Sequence, residues 1–241
     1  MFSVSERDQL RRDLVNAADV DPRVVGAALT GSAAVGAEDR WSDIDFALSV
    51  ERELDAVVAD WTALMYACGA VSHLDVRRGT VLFRVFLMRS TLQVDVAFWP
   101  SDEFGATGPT FKLLFGETND LPQSGQPDRD ELIGLAWLYA LHARSSIARG
   151  RSWQAVYMIN GMRDHVMSLW CLREEVNAVQ GRGLDDLRNA GAFTGTLVLS
   201  THPDELARAF HVLTGLLLGE ITEPELREAV RALSPAAANR R

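Results

Sequence analysis

Residues 29–48 read LTGSAAVGAEDRWSDIDFAL, and the order of the parts sets the fold of the N-terminal half. A short apolar run, 24–29, ends at Thr30-Gly31-Ser32, and a second, 44–50, follows beyond Gly36 and Trp41. Two β-rich runs flanking a glycine-serine turn predict two strands. Asp43 stands eleven residues past Ser32, and Asp45 two residues further. On a strand, alternation sends both carboxylates to one face, roughly 6 to 7 Å apart, and Ile44 and Phe46 to the other. The core takes one side, and the two carboxylates can grip a divalent cation on the other.

Outward from this stretch, 6–18 carries Leu10, Leu14, Val15 and Ala18 at helical spacing behind Ser5 and Asp8, and predicts a capped amphipathic helix. Residues 51–68 repeat the helical spacing and stop at Gly69, a residue suited to the position after a helix. Three β-rich runs follow, 70–76, 80–88 and 92–98, joined by connections short enough for hairpins. Residues 100–127 are rich in Gly, Pro, Asp and Ser around an apolar island at 111–115, which predicts a long crossing segment. Beyond it the periodic segments 129–149, 153–179, 204–218 and 223–233 are helical; Asp128 with Glu131 opens the first, and Thr222 with Glu225 the last. The expected fold is α+β: a mixed α/β domain with a small twisted sheet over 1–120, a helical bundle over 128–236, and a frayed tail at 237–241.

In Leu92-Gln93-Val94-Asp95-Val96-Ala97-Phe98, the residues Val94, Val96 and Phe98 form one face and Asp95 stands on the other. An aspartate inside an apolar strand costs desolvation unless it is paired, hydrogen-bonded or metal-bound. Asp43, Asp45 and Asp95 therefore form a hard, oxygen-rich donor set suited to Mg²⁺, which keeps water and phosphate oxygens as its other ligands. Two such ions roughly 3.5 to 4 Å apart would support in-line displacement. Gly31 and Ser32 offer close backbone approach, N–H groups and a hydroxyl at a predicted helix start, a place for phosphate. Carboxylates and phosphate cradle together point to nucleotidyl transfer.

Composition narrows the field. The 241 residues, 47% hydrophobic and 24% charged, exclude disordered, collagen-like and coiled-coil classes. A net charge of −9 has the wrong sign for holding long stretches of nucleic-acid phosphate. The negative field lies up to residue 120, with 19 acidic against 11 basic residues; beyond it there are 14 against 13. Apolar stretches such as 81–88 and 212–218 fall well short of the roughly 20 residues of a membrane span. Residues 1–12 are charged and lack the apolar core of a secretion signal, so a cytoplasmic protein with no membrane partner is expected. Cys68 and Cys171, far apart in the chain, are expected as buried, reduced thiols rather than a disulfide or a zinc site.

Gly31-Ser32, then Ser42-Asp43-Ile44-Asp45, then Asp95 on a later strand together resemble the nucleotidyltransferase domain of the DNA polymerase beta superfamily, specifically its small antibiotic-modifying branch, over about residues 24–98. The helical half is similar in kind to the substrate-side domain of aminoglycoside and lincosamide nucleotidyltransferases. The resemblance implies an enzyme in which Gly31, Ser32 and Ser42 hold the nucleotide, Asp43 and Asp45 bind Mg²⁺, and Asp95 completes a two-ion metal site. It implies ATP or another nucleoside triphosphate as co-substrate, a small-molecule acceptor, and a homodimer of the kind that several small relatives form. In some family members the third carboxylate is also the general base; Asp95 is the first candidate here, ahead of Glu103 and Glu117.

Arg40, Arg84 and Arg89 lie near these motifs but read as surface arginines, and Lys112 as a lysine snorkelling from an apolar patch. Trp137, Tyr139, Trp153, Tyr157 and Trp170 stand at helical spacing and read as core, and the five histidines show no metal-ligand spacing. Two other functions fit the same residues: a toxin-like transferase acting on protein or tRNA, and a catalytically silent nucleotide-binding or antitoxin-like module.

Overall fold

The structure, a computed structural model, describes residues 1–234; the expected frayed tail at 237–241 and the end of the expected helical domain lie outside the described residues. Helix α1 (Val4–Val20) is opened by Ser3, whose hydroxyl accepts from the Glu6 N–H while the Glu6 carboxylate accepts from the Ser3 N–H. The cap is therefore Ser3 with Glu6 and not Ser5 with Asp8, because the longer glutamate reaches back to the cap's own N–H. Six strands follow: β1 (Val24–Thr30), β2 (Ile44–Val50), β3 (Ala70–Arg78), β4 (Val81–Met88), β5 (Gln93–Pro100) and β6 (Phe111–Phe115), with the short α2 (Gly31–Ala34) after β1 and α3 (Leu54–Ala67) after β2. They form one sheet in the order β3-β4-β5-β2-β1-β6. Only β2 and β5 run parallel; the other neighbours are antiparallel.

Strand β6 corrects the reading of 111–115 as an island in a crossing segment: Phe111 pairs with Thr30 and Leu113 with Ala28. Helix α3 does stop before Gly69, which takes φ +99. Cys68, at the cap of that helix, is exposed rather than buried, whereas Cys171 is buried.

One face of the sheet carries Ile44, Phe46, Leu48, Val94, Val96 and Phe98, covered by Leu14 of α1 and by Trp61 and Met65 of α3. Each large apolar side chain buried there contributes about 1.5–3 kcal/mol. A one-residue slip would turn them all outward, so this face fixes the register. On the other face Ala28, Ala47 and Ala97 are small enough for Phe104 to lie over them, flanked by Phe83, Trp99 and Phe111. Asp45 and Asp95 stand on this second face, two residues ahead of Ala47 and Ala97.

The chain divides into two units, Met1–Ser124 and Gly125–Arg241. The second contains α4 (Arg129–Ala148), α5 (Ser152–Arg173), α6 (Pro203–Leu218) and α7 (Pro224–Leu233), packed on Ala136, Ala140, Ile159, Met162, Leu169 and Leu213. Asp128 caps α4 by accepting from the Glu131 N–H at 2.8 Å. Helix α5 ends at Arg173 rather than Val179: Glu175 at φ 58 and Gln180 at φ 55 are left-handed, and 3₁₀ turns follow. Glu223, not Thr222, precedes α7, with Pro224 in its first turn. Trp170 is buried as expected, but Trp153 and Tyr157 are 79% and 65% exposed and belong to no core. Glu220, only 2% exposed, pairs with both Arg129 and Arg173, the partners a buried carboxylate requires. No helix among the described residues is long and apolar enough to cross a membrane.

Candidate active site

Strand β1 delivers the chain to Gly31, which takes φ +61. A Cβ at this position would lie 1.9 Å from Asp45 Oδ2. Glycine is thus required twice, for the left-handed turn and for the close approach of the Asp45 carboxylate. Asp45, the second residue of β2, pairs in register with Asp95 of β5. Adjacent strands lie about 4.8 Å apart, so the two carboxylates share one face as immediate neighbours.

Asp43 does not lie on the strand with Asp45: β2 begins at Ile44, and Asp43 is the last residue of the loop before it. The alternation argument therefore does not apply to it, yet its charge is felt at Asp95. Burial raises the Asp95 carboxyl above the ordinary aspartate range and the negative charge of Asp43 adds to the rise, while Gln93 Nε2, donating to Asp95 Oδ1 at 3.0 Å, works against it. Two carboxylates thus stand at one end of one sheet face, beside a glycine turn, with Asp43 on the loop that leads into β2.

The other expected residues take varied places. Ser32 is half-buried in α2, and its carbonyl accepts from the Ala37 N–H at 3.0 Å, which closes the turn. The Ser42 hydroxyl donates to Asp39 Oδ1 at 3.1 Å and accepts from the Asp39 N–H at 2.9 Å, so it shapes the loop that ends in Asp43. Glu103 follows the C-terminal end of β5, past Pro100, whereas Asp95 is near the start of that strand, a separation of roughly 16 Å along the chain direction. It accepts from Thr80 Oγ1 instead. Glu117 lies beyond the end of β6 that pairs with Ala27, away from Thr30. Neither is placed to serve Asp45.

Arg84 is no free surface arginine. It pairs in register with Val96, so its side chain is on the helix-covered face, where it binds Asp75 at 2.6 Å and Thr62 of α3. Arg40 lies over the exposed ring of Trp41, 4.4 Å from its centroid. Two residues that support the site escaped the sequence reading. Gln93 stands two positions before Asp95 on the same strand face, and the alternation that found Asp95 also points to it. Arg7 of α1 reaches the loop before Asp43, and nothing in its sequence setting separates it from Arg11 or Arg12.

Among the described residues, no three His, Cys, Asp or Glu side chains converge closely enough to enclose a metal ion. The donor set nevertheless fits Mg²⁺, which binds through one or two carboxylates and takes its remaining ligands from water and substrate phosphate. Asp45, in register with Asp95 and abutting Gly31, has the carboxylate oxygens that such partial coordination would use.

The raised Asp95 carboxyl has a measurable consequence. The native state favours its protonated form, so its contribution to stability is full below the unfolded-state value and is lost as pH rises through the folded-state value. In protein stripped of divalent cations, Asp95→Asn is therefore expected to melt above wild type at neutral pH, with the difference closing in acid. Thermal melts in chelator across that pH range check this. A variant melting below wild type at neutral pH would show that the Asp95 charge is stabilised, not penalised, in the fold.

No family model matches the chain, and no curated protein matches it. Among solved structures it is similar to an aminoglycoside 6-adenyltransferase from Bacillus subtilis, with a TM-score of 0.42 and 11% identity over 96% of this chain and 99% of that one. It is also similar to the polymerase core of TRAMP, an RNA surveillance complex, with a TM-score of 0.29 and 14% identity over 90% of this chain and 55% of that one. Scores this low assign neither a residue nor an activity.

Proposed function

We propose that this chain is a Mg²⁺-dependent nucleotidyltransferase that moves a nucleoside monophosphate, AMP from ATP as first choice, onto a hydroxyl of a small antibiotic-like molecule and releases pyrophosphate. The observation that carries the reading is the in-register pair Asp45 and Asp95 at the sheet end where Gly31 is pressed against Asp45. A cation bound with its phosphates would neutralise two carboxylates that the sheet holds in register on one face.

Asp43 and Asp45 are the proposed Mg²⁺ ligands, with Asp95 completing the site. The ion, when bound, supplies charge neutralisation on the phosphates and polarises the α-phosphoryl group. The chain's own groups do the rest. Backbone N–H groups at Gly31 and Ser32, with the Ser32 hydroxyl, donate to the β- and γ-phosphates and hold the triphosphate in line. Asp95 is the proposed base, the carboxylate that stands in register with Asp45 on the same face of the sheet. The acceptor oxygen forms its bond to the α-phosphorus, its proton passes to an Asp95 oxygen, and the bond to pyrophosphate breaks. Positioning and charge neutralisation provide most of the acceleration for such transfers.

The test uses purified protein, ATP labelled at the α-phosphate, Mg²⁺ and a fractionated cell extract supplemented with a panel of hydroxyl-bearing antibiotics. Label entering the small-molecule fraction, with stoichiometric pyrophosphate, is the expected result. Label in protein or RNA would replace it with the toxin-like reading. Binding of a non-hydrolysable ATP analogue with no label transfer anywhere would favour the silent module.

A further inference from the structure

We infer that Arg7, on the first helix of the chain, is a positioning residue that sets where Asp43 stands; the inference rests on the proposed metal-dependent reading of the site. Arg7 is only 3% exposed, an unusual state for a guanidinium on an N-terminal helix. Its Nη1 donates to the carbonyl of Asp39 at 2.5 Å and to the carbonyl of Ser42 at 3.2 Å. Its Nε lies 3.5 Å from both Asp8 Oδ1 and Glu38 Oε1. One buried guanidinium nitrogen therefore holds the loop at its middle, Asp39, and near its end, Ser42.

The Ser42 carbonyl belongs to the peptide plane that leads into the Asp43 Cα, so the second of these bonds fixes the direction in which Asp43 leaves the loop. The same four residues are tightened from within. Asp39 Oδ1 accepts from the Trp41 N–H at 2.8 Å and from the Ser42 hydroxyl, and the Asp39 carboxyl is held below its ordinary range, first by the Trp41 N–H, then by Ser42, with Arg7 adding. Arg11 binds Glu38 at 2.6 Å and Asp8 at 2.9 Å, so Glu38 keeps a cation when Arg7 is removed. Of the two arginines, Arg7 is the one that reaches the Asp39 and Ser42 carbonyls, the first of which also accepts from the Ser42 N–H at 3.4 Å. Asp43 lies outside the sheet ladder that fixes Asp45 and Asp95, and this clamp takes the ladder's place for it.

The readout is Mn²⁺ affinity, measured by electron paramagnetic resonance on the full chain in the presence of α,β-methylene-ATP, beside a thermal melt. Arg7→Met is expected to weaken Mn²⁺ binding by about tenfold or more, the size of loss seen when a partner orienting a metal ligand is removed. Arg7→Lys keeps the buried charge but loses the planar guanidinium whose Nη1 meets both carbonyls while its Nε faces Asp8 and Glu38, and is expected between Arg7→Met and wild type. Arg23→Met is the structural control: Arg23 pairs with Asp21 and Asp60 at the turn after α1, so its loss should lower the melting temperature and leave Mn²⁺ affinity unchanged.

Folded Arg7→Met with wild-type Mn²⁺ affinity would overturn the inference and leave the functional reading standing. If Arg7→Met does not fold, Arg7→Lys decides, and wild-type affinity in that variant overturns the inference equally. A matching loss of affinity in Arg23→Met would reduce Arg7 to a stabilising residue. Wild-type protein that binds no Mn²⁺ with the analogue would overturn the functional reading and the inference together.

Discussion

Asp45→Asn is expected to lower transfer by about a thousandfold with no loss of fold. Asparagine keeps the shape of aspartate beside Gly31 and removes one negative charge from the face it shares with Asp95. The strand that carries position 45 is held by Ile44, Phe46 and Leu48 in the core, none of which is touched. The catalytic cost is set by what the carboxylate does in the transition state: losing one preorganised charge-stabilising contact costs about 10²–10³ in rate, and a carboxylate proposed as a metal ligand belongs at the upper end. The same substitution at Asp43 should act in the same direction. Labelled-ATP turnover beside a thermal melt checks both. Mg²⁺-dependent transfer persisting in Asp43→Asn and in Asp45→Asn would remove the basis of the assignment.

Gly31→Ala is the second large effect, and it separates two causes. At φ +61 an alanine is strained by roughly 1–2 kcal/mol whatever surrounds it. Its Cβ would also meet Asp45 Oδ2 at 1.9 Å, so the carboxylate must swing away from its place opposite Asp95. A displacement near 1 Å in a positioned group costs about a hundredfold in rate. Gly36→Ala carries the first effect without the second: Gly36 takes φ +68 but a Cβ there meets nothing within 4 Å. The expected pattern is lowered stability in both variants and lost transfer only in Gly31→Ala. Equal transfer in the two would show that the Gly31 to Asp45 contact has no part in the reaction.

Local patterns in the sequence account for a good part of this. Alternation around Asp95 identified both its strand and its polar face, because Val94 and Val96 go into the core on either side. The α+β class followed from the same patterns, as did the Asp128 cap. Where the reading failed, the deciding partner was distant in the chain. Phe111-Lys112-Leu113-Leu114-Phe115 is a strand because β1, some eighty residues earlier, offers it an open edge. Arg84 is half-buried because Asp75 and Thr62 hold it, and Arg7 is buried because a loop more than thirty residues away brings carbonyls to it. The exposed Trp153 and Tyr157 show the converse, since helical spacing identifies a stripe without saying that anything covers it. For Asp43 the i, i+2 spacing suggested a strand that begins one residue too late.

The one parallel pairing in the sheet has a consequence for the order in which the molecule assembles. β2 and β5 can come together only after the chain between them, α3 with the β3–β4 hairpin, has made its full crossover. Asp45 and Asp95, fifty positions apart, become neighbours only through that long closure, a slow kind of step because its entropy is lost before its bonds are gained. A nascent or partly opened chain therefore lacks the feature that a charged ligand would recognise. Whatever binds there selects molecules in which this crossover is complete and, by mass action, stabilises that joint.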